Sequence, residues 1–216
     1  MTIPTSPLIS AISASRTRPG RWAVQVDGRL VATLSIDAVE RFGLRSGAAY
    51  DERMREAVER EDAVTATLDR ALNMLAFRAR SARDLRRRLI EKGEPADLAD
   101  AAIARLAELG LIDDAQFARQ FARSKVLGPG LSKRRLHQEL FRKGVARDVA
   151  EESIAAVMAE DEVNESAIIE RLARKKLSTL VALDPATRRR RIFGFLARRG
   201  YDIDDIRRVV EELDGN

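Results

Sequence analysis

The pattern of apolar and polar positions changes character twice along the chain. Residues 22–36 alternate as strands do: Trp22, Val24 and Val26 share one face, Asp27-Gly28 is a hairpin turn signal, and Leu30 to Ile36 return. A short helix is expected around Asp37–Phe42, ending near Gly43. Residues 51–70, from Asp51-Glu52 through Glu61-Asp62, are dense in charge and read as a solvated helix. Two strands alone are marginal in water, so the hairpin needs something to dock on. From residue 71 onward the apolar spacing is helical and recurs.

The recurrence has a fixed anchor. Gly93 is preceded at four and eight positions by Leu89 and Leu85, Gly144 by Leu140 and Leu136, and Gly200 by Leu196 and Ile192. Each glycine follows a basic residue, and the glycines are spaced by 51 and 56 residues. An apolar pair at i and i+4 marks one helix face, and the glycine suits a left-handed C-terminal cap. A three-helix unit can be drawn around each anchor. In the first, Leu72, Leu75 and Ala79 mark one helix, 81–92 a second capped by Ser81 with Asp84, and Leu98–Leu109 a third stopped by Gly110. In the second, Asp113 or Asp114 caps a helix with Phe117 and Phe121. Gly128-Pro129-Gly130 then leads to a helix capped by Ser132, and Val149, Ile154, Val157 and Met158 mark the last. In the third, Ile168, Ile169 and Leu172 come first, Pro185 opens the middle helix, and Ile206, Val209 and Leu213 follow with an apparent slip of about one residue after the glycine. The expected organisation is a disordered tail (1–20, with Pro4 and Pro7), a β-hairpin plus short helix (21–50), a charged helical linker (51–68), and three-helix repeats over 69–110, 111–162 and 163–216, the last divergent. The fold class is mainly α, with neighbouring repeats supporting one another.

Composition agrees with helix: charged residues are 34% and aromatics only 5% of the 216 residues. The absence of cysteine removes disulfides and thiolate metal sites. No apolar run approaches the roughly 20 residues that cross a bilayer, and the N-terminus lacks the charge order of a signal peptide. A cytoplasmic protein with no membrane contact is the expectation, and a monomer the default.

Charge alters the picture most. Residues 1–70 are neutral, so the net +5 belongs to the repeats. The second-helix segments 81–93, 132–144 and 184–200 carry +3, +4 and +5, while the third-helix segments 94–110, 145–162 and 201–216 carry −3, −5 and −4. Attraction between adjacent helices, or mere solvation, explains any one such helix. Three-fold recurrence points instead to basic clusters at intervals along an array that meets a long polyanion or an acidic filament. The candidate partner contacts are Arg83, Arg86, Arg87, Arg88 and Lys92; Lys133, Arg134, Arg135, Arg142 and Lys143; and Arg188, Arg189, Arg190, Arg191, Arg198 and Arg199.

Catalysis finds no support. His137 is the lone histidine and sits on a basic helix. Asp113-Asp114 is explained by capping, and Gly128-Pro129-Gly130-Leu131-Ser132-Lys133 lacks the phosphate-loop spacing and a preceding strand. Phe117, Phe121, Phe193 and Phe195 have core spacing, Trp22 packs the hairpin, and Phe141 beside Arg142 is the aromatic expected outside. No catalytic, cofactor or metal residues are assigned.

Two stretches carry a family resemblance. Arg78-Ala79-Arg80-Ser81-Ala82-Arg83-Asp84-Leu85, continuing to Leu89 and Gly93, resembles the first-repeat signature of the RecX family. Leu109-Gly110-Leu111-Ile112-Asp113-Asp114, then Phe117-Ala118, Phe121 and Gly128-Pro129-Gly130, resembles its second-repeat signature. The resemblance covers about residues 69–212. It implies tandem three-helix repeats in an elongated curved array. It also implies a cofactor-free regulator of the RecA recombinase, acting in homologous recombination and the SOS response. Such a regulator binds the RecA–DNA filament and usually inhibits ATP hydrolysis, strand exchange and coprotease activity, with single- or double-stranded DNA phosphates as a further contact. The alternative is a direct nucleic-acid binder, either non-specific or of helix-turn-helix type. Acidic third helices argue against the latter, because that element would have to enter a phosphate-lined groove.

Overall fold

The computed structural model describes residues 7–214, which fall into two compact units, one of residues up to 78 with 85–111 and one of 79–84 with 112 onward. The first unit opens with an antiparallel sheet of β1 (Ile9–Ala14), β2 (Trp22–Val26) and β3 (Arg29–Leu34) in the order β1-β2-β3. Asp27 and Gly28 both have positive φ, 48° and 79°, which matches the right-handed twist of a two-residue turn between β2 and β3. Val24, Val26, Ala32 and Leu34 share a buried face with Ala38 and Val39 of α1 (Ile36–Arg41), and Val58 of α2 (Glu52–Phe77) closes this core.

Two expectations change here. Residues 9–14 are a third strand rather than part of a disordered tail; the tail before residue 7 lies outside the described residues. Strand β1 is held by β2 on one edge and, on the other, by backbone bonds between Ile9 and the loop residues Gly47 and Ala48. The charged linker and the first helix of repeat 1 are one 26-residue helix, α2. Asp51 caps its N-terminus, and no glycine or proline interrupts it before Phe77. Its length gives it two tasks. Asp62 accepts the Thr33 N–H at 2.8 Å, which caps the edge of β3, and Arg21 meets Asp69 at 3.0 Å. Further along, Glu61 binds Arg105 at 2.7 Å and Arg70 binds Glu94 at 2.6 Å, tying α2 to α4 (Ala96–Glu108) and the turn before it. Helix α3 (Ala82–Glu91) buries Leu85 and Leu89.

The second unit carries six further helices: α5 (Asp114–Leu127), α6 (Lys133–Arg142), α7 (Arg147–Glu160), α8 (Glu165–Ser178), α9 (Pro185–Ala197) and α10 (Ile203–Asp214). Side-chain caps from Asp113, Ser132, Asn164 and Asp184 start α5, α6, α8 and α9. One core joins Ala118 and Ala122 to Leu136, Leu140, Ile154 and Val157; a second joins Ile169 and Ala173 to Ile192, Leu196, Ile206 and Val209. Phe117, Phe121, Phe193 and Phe195 pack half-buried against these cores, and Phe141 stands 71% exposed. The apparent slip in the third repeat does not occur. Tyr201, Ile206 and Val210 follow Gly200 at the same offsets as Val145, Ala150 and Ile154 follow Gly144, and all six are buried.

Candidate partner-binding surface

The second helices do two jobs, and their basic residues divide between them. One job is the joint between repeats within the second unit. The backbone N–H of Ser132 donates to the Arg199 carbonyl at 3.0 Å, and the N–H of Lys133 donates to the Glu165 carboxylate at 2.9 Å. The N-terminus of α6 is therefore satisfied by residues of the following repeat, with a carboxylate placed favourably for the helix dipole. The same arrangement occurs 51 positions earlier. Ala82 N–H donates to Asp114 at 2.8 Å, and the Ser81 hydroxyl donates to the Lys143 carbonyl. The anchor glycine of each later repeat lies against the preceding second helix: Gly144 on Arg83, Gly200 on Arg135 and Ser132.

Several predicted contact residues serve this joint. Arg134 donates from Nε to the Gly200 carbonyl at 3.1 Å and from a terminal nitrogen to the Tyr201 carbonyl at 3.2 Å. Arg199 stacks 3.6 Å over the Phe195 ring and donates from Nε to the Pro129 carbonyl at 2.8 Å. Burial pulls its guanidinium below its ordinary pKa. Tyr201 completes the joint, its buried hydroxyl donating to the Gly130 carbonyl at 3.1 Å. Burial first, and the nearby Glu165 charge second, push the Tyr201 phenol up to about 12.

Other members are held within their own repeats. Arg86 forks onto Asp100 of α4, and that hydrogen bond keeps the Asp100 carboxyl below the usual range. Arg87 reaches Glu91 at 3.6 Å; Arg135 meets Glu139 at 2.7 Å, and Arg142 meets the same carboxylate at 3.5 Å. Lys143 sits 5.0 Å over the Phe121 ring. Arg88 and Arg189 also have partners, and Arg188 is half-buried with an unpaired Nε.

What remains open to solvent is a subset. Among the described residues, the side chains of Arg83, Lys92, Lys133, Arg190, Arg191 and Arg198 are exposed and make no ion pair or hydrogen bond, although the Arg83 stem also lies against Gly144. Arg189 and Arg190 border a groove of about 430 Å³ between α9 and α10, floored by Phe193 and Val210 and flanked by Arg207 and Glu211. Three arginines and one glutamate thus surround an apolar floor. Phe77, 88% exposed at the end of α2, is an outward aromatic that periodicity alone assigned to no face. Among the described residues no helix is long and apolar enough to cross a membrane, and no His, Cys, Asp or Glu cluster is placed to hold a metal.

Comparison with known proteins fits this repeat structure. The models of the first, second and third three-helix domains of RecX match residues 68–106, 113–154 and 164–210. Regulatory protein RecX of Mycobacterium avium (strain 104) is 44% identical over 131 residues, covering 60% of this chain and 74% of that protein. The chain belongs to the RecX family. Regulatory protein RecX of Clostridium botulinum (strain Eklund 17B / Type B) is 27% identical over 206 residues, 94% of this chain and 95% of that one. The fold is shared with a crystal structure of regulatory protein RecX at a TM-score of 0.77 and 20% identity, covering 95% of this chain and 99% of that one. It is shared also with RecX from Lactobacillus salivarius, at a TM-score of 0.58 and 21% identity over 72% and 99% of the two chains. The RecX three-helix models thus begin at residue 68, and the sheet of the first unit precedes them.

Proposed function

We propose that this RecX-family chain binds the RecA–DNA filament and restrains RecA ATP hydrolysis, strand exchange and coprotease activity. It acts by binding rather than catalysis, as a cytoplasmic monomer, with the basic second helices meeting acidic filament surface and DNA phosphates. The observation that carries the reading is the recurrence of positive charge on all three second helices opposite acidic third helices. Arg86, Arg134, Arg135 and Arg199 are engaged inside the chain, and the exposed remainder of that charge is what is left to meet a partner. The solvent-open subset, above all Arg190 and Arg191 with Lys133 and Lys92, is the expected contact set. Arg134 and Arg199 support it from behind by fixing the joint that positions α6 and α9.

The test is RecA-dependent ATP hydrolysis, stimulated by single-stranded DNA, with and without this protein. A fall in rate at stoichiometric or lower amounts is expected, and it should weaken as salt rises. An unchanged rate would contradict the assignment. Binding to naked DNA together with no effect on RecA would favour the simple nucleic-acid binder.

A further inference from the structure

The turn between β1 and β2 lies in the sheet that precedes the family's three domains, and its last residue, Arg21, reaches the first of them at Asp69. It reads Ser15-Arg16-Thr17-Arg18-Pro19-Gly20-Arg21, with three arginines, no acidic residue and no side chain of the large apolar kind. The loop is ordered by its own bonds. Ser15 Oγ accepts the N–H groups of Arg18 at 3.2 Å and Thr17 at 3.4 Å. The Ser15 N–H donates to the Arg21 carbonyl at 2.8 Å, and Arg21 N–H donates to the Arg18 carbonyl at 3.2 Å. Gly20 takes the left-handed φ of 73° that closes the turn. The Arg21 side chain is tied down to Asp69 of α2. Arg16 through Gly20 are all exposed, and the Arg16 and Arg18 guanidinium groups have no partner among the described residues.

We propose that this hairpin tip is a contact for the minor groove of duplex DNA, with Arg16 and Arg18 as the inserted side chains. A minor groove about 6 Å wide excludes a helix but admits a thin loop. The tip is thin because its remaining residues are Ser, Thr, Pro and Gly. Narrow A·T-rich grooves concentrate negative potential, which draws in arginine in particular. An ordered loop gives up little freedom on docking, so the gain is not lost to entropy. An acidic protein surface is a poorer match, because protein interfaces are centred on aromatic or aliphatic anchors and the tip offers none. The inference is independent of the RecA reading.

The experiment measures binding of the full chain to two labelled duplexes of equal length by fluorescence anisotropy, one with a central A-tract and one of G·C pairs only. The wild-type chain should prefer the A-tract duplex, and netropsin, a minor-groove ligand, should displace it. The R16A/R18A variant should lose about tenfold in affinity for the A-tract duplex and most of that preference, with an unchanged melting temperature. Equal binding of wild type and variant to the A-tract duplex overturns the proposal. So does an equal loss on both duplexes, which is phosphate attraction alone. Wild-type binding that netropsin leaves undisturbed overturns it without recourse to any variant.

Discussion

Gly144 lies so close to Arg83 that no side chain fits between them: a Cβ on the glycine would stand 2.6 Å from the Arg83 Cβ. Gly200 stands in the same relation to Arg135, also at 2.6 Å, whereas a Cβ on Gly93 would meet nothing within 4 Å. All three glycines have positive φ, between 83° and 93°. Gly93→Ala should therefore cost only the left-handed strain, about 1 kcal/mol. Gly144→Ala and Gly200→Ala add overpacking at a helix joint and should each cost about 2–4 kcal/mol. Urea denaturation of the three single variants checks the ranking; equal midpoints would contradict the close-approach role.

The buried Tyr201 hydroxyl makes the joint sensitive to alkaline pH. Its folded pKa, about 12, lies above the ordinary value of 10.0, so above pH 10 the unfolded chain releases a proton that the folded chain retains. The contribution of this group to stability is complete below pH 10 and is lost as pH rises through 12. Denaturation midpoints should fall across that window for the wild-type chain and fall less for Tyr201→Phe. At neutral pH the same variant should be about 1 kcal/mol less stable, for loss of the bond to Gly130. A phenolate absorbance change completed near pH 10 in the folded protein would contradict the burial.

Arginines in α9 and just after it should separate into two classes. Arg199→Ala removes a ring stack and the bond to the Pro129 carbonyl, and should destabilise by about 1–2 kcal/mol. Arg190→Ala and Arg191→Ala should stay within about 0.5 kcal/mol of the wild-type stability, as surface substitutions do. Thermal melts of the three variants measure this directly.

The glycine register made the repeats legible, because a cap and two leucines at fixed spacing are local features. Strand β1 was hidden for a physical reason. A bulge between Ile9 and Ala11 shifts its register, so Ile9 and Ile12, three positions apart, both pack against the sheet core. The period-2 signal that marks a strand is erased by that extra residue. The joint was hidden differently. Arg134 and Arg199 bind backbone carbonyls 66 to 70 positions away, and a carbonyl carries no residue identity to read. The charge tally therefore placed both among the outward contacts, alongside Arg190 and Arg191, which are exposed. Gly144 and Gly200 read correctly as caps, but their second task shows only when the preceding helix is seen against them.

The most direct test of the account titrates RecA-dependent, single-strand-stimulated ATP hydrolysis with the wild-type chain and with Arg190→Glu/Arg191→Glu. The wild-type chain should suppress hydrolysis. The charge-reversed chain, folded to the same melting temperature within a few degrees, should need at least about tenfold more protein for the same suppression and show a flatter dependence on salt. Full suppression by the reversed chain, with the salt dependence unchanged, would contradict the claim that the open basic side chains of the second helices make the contact.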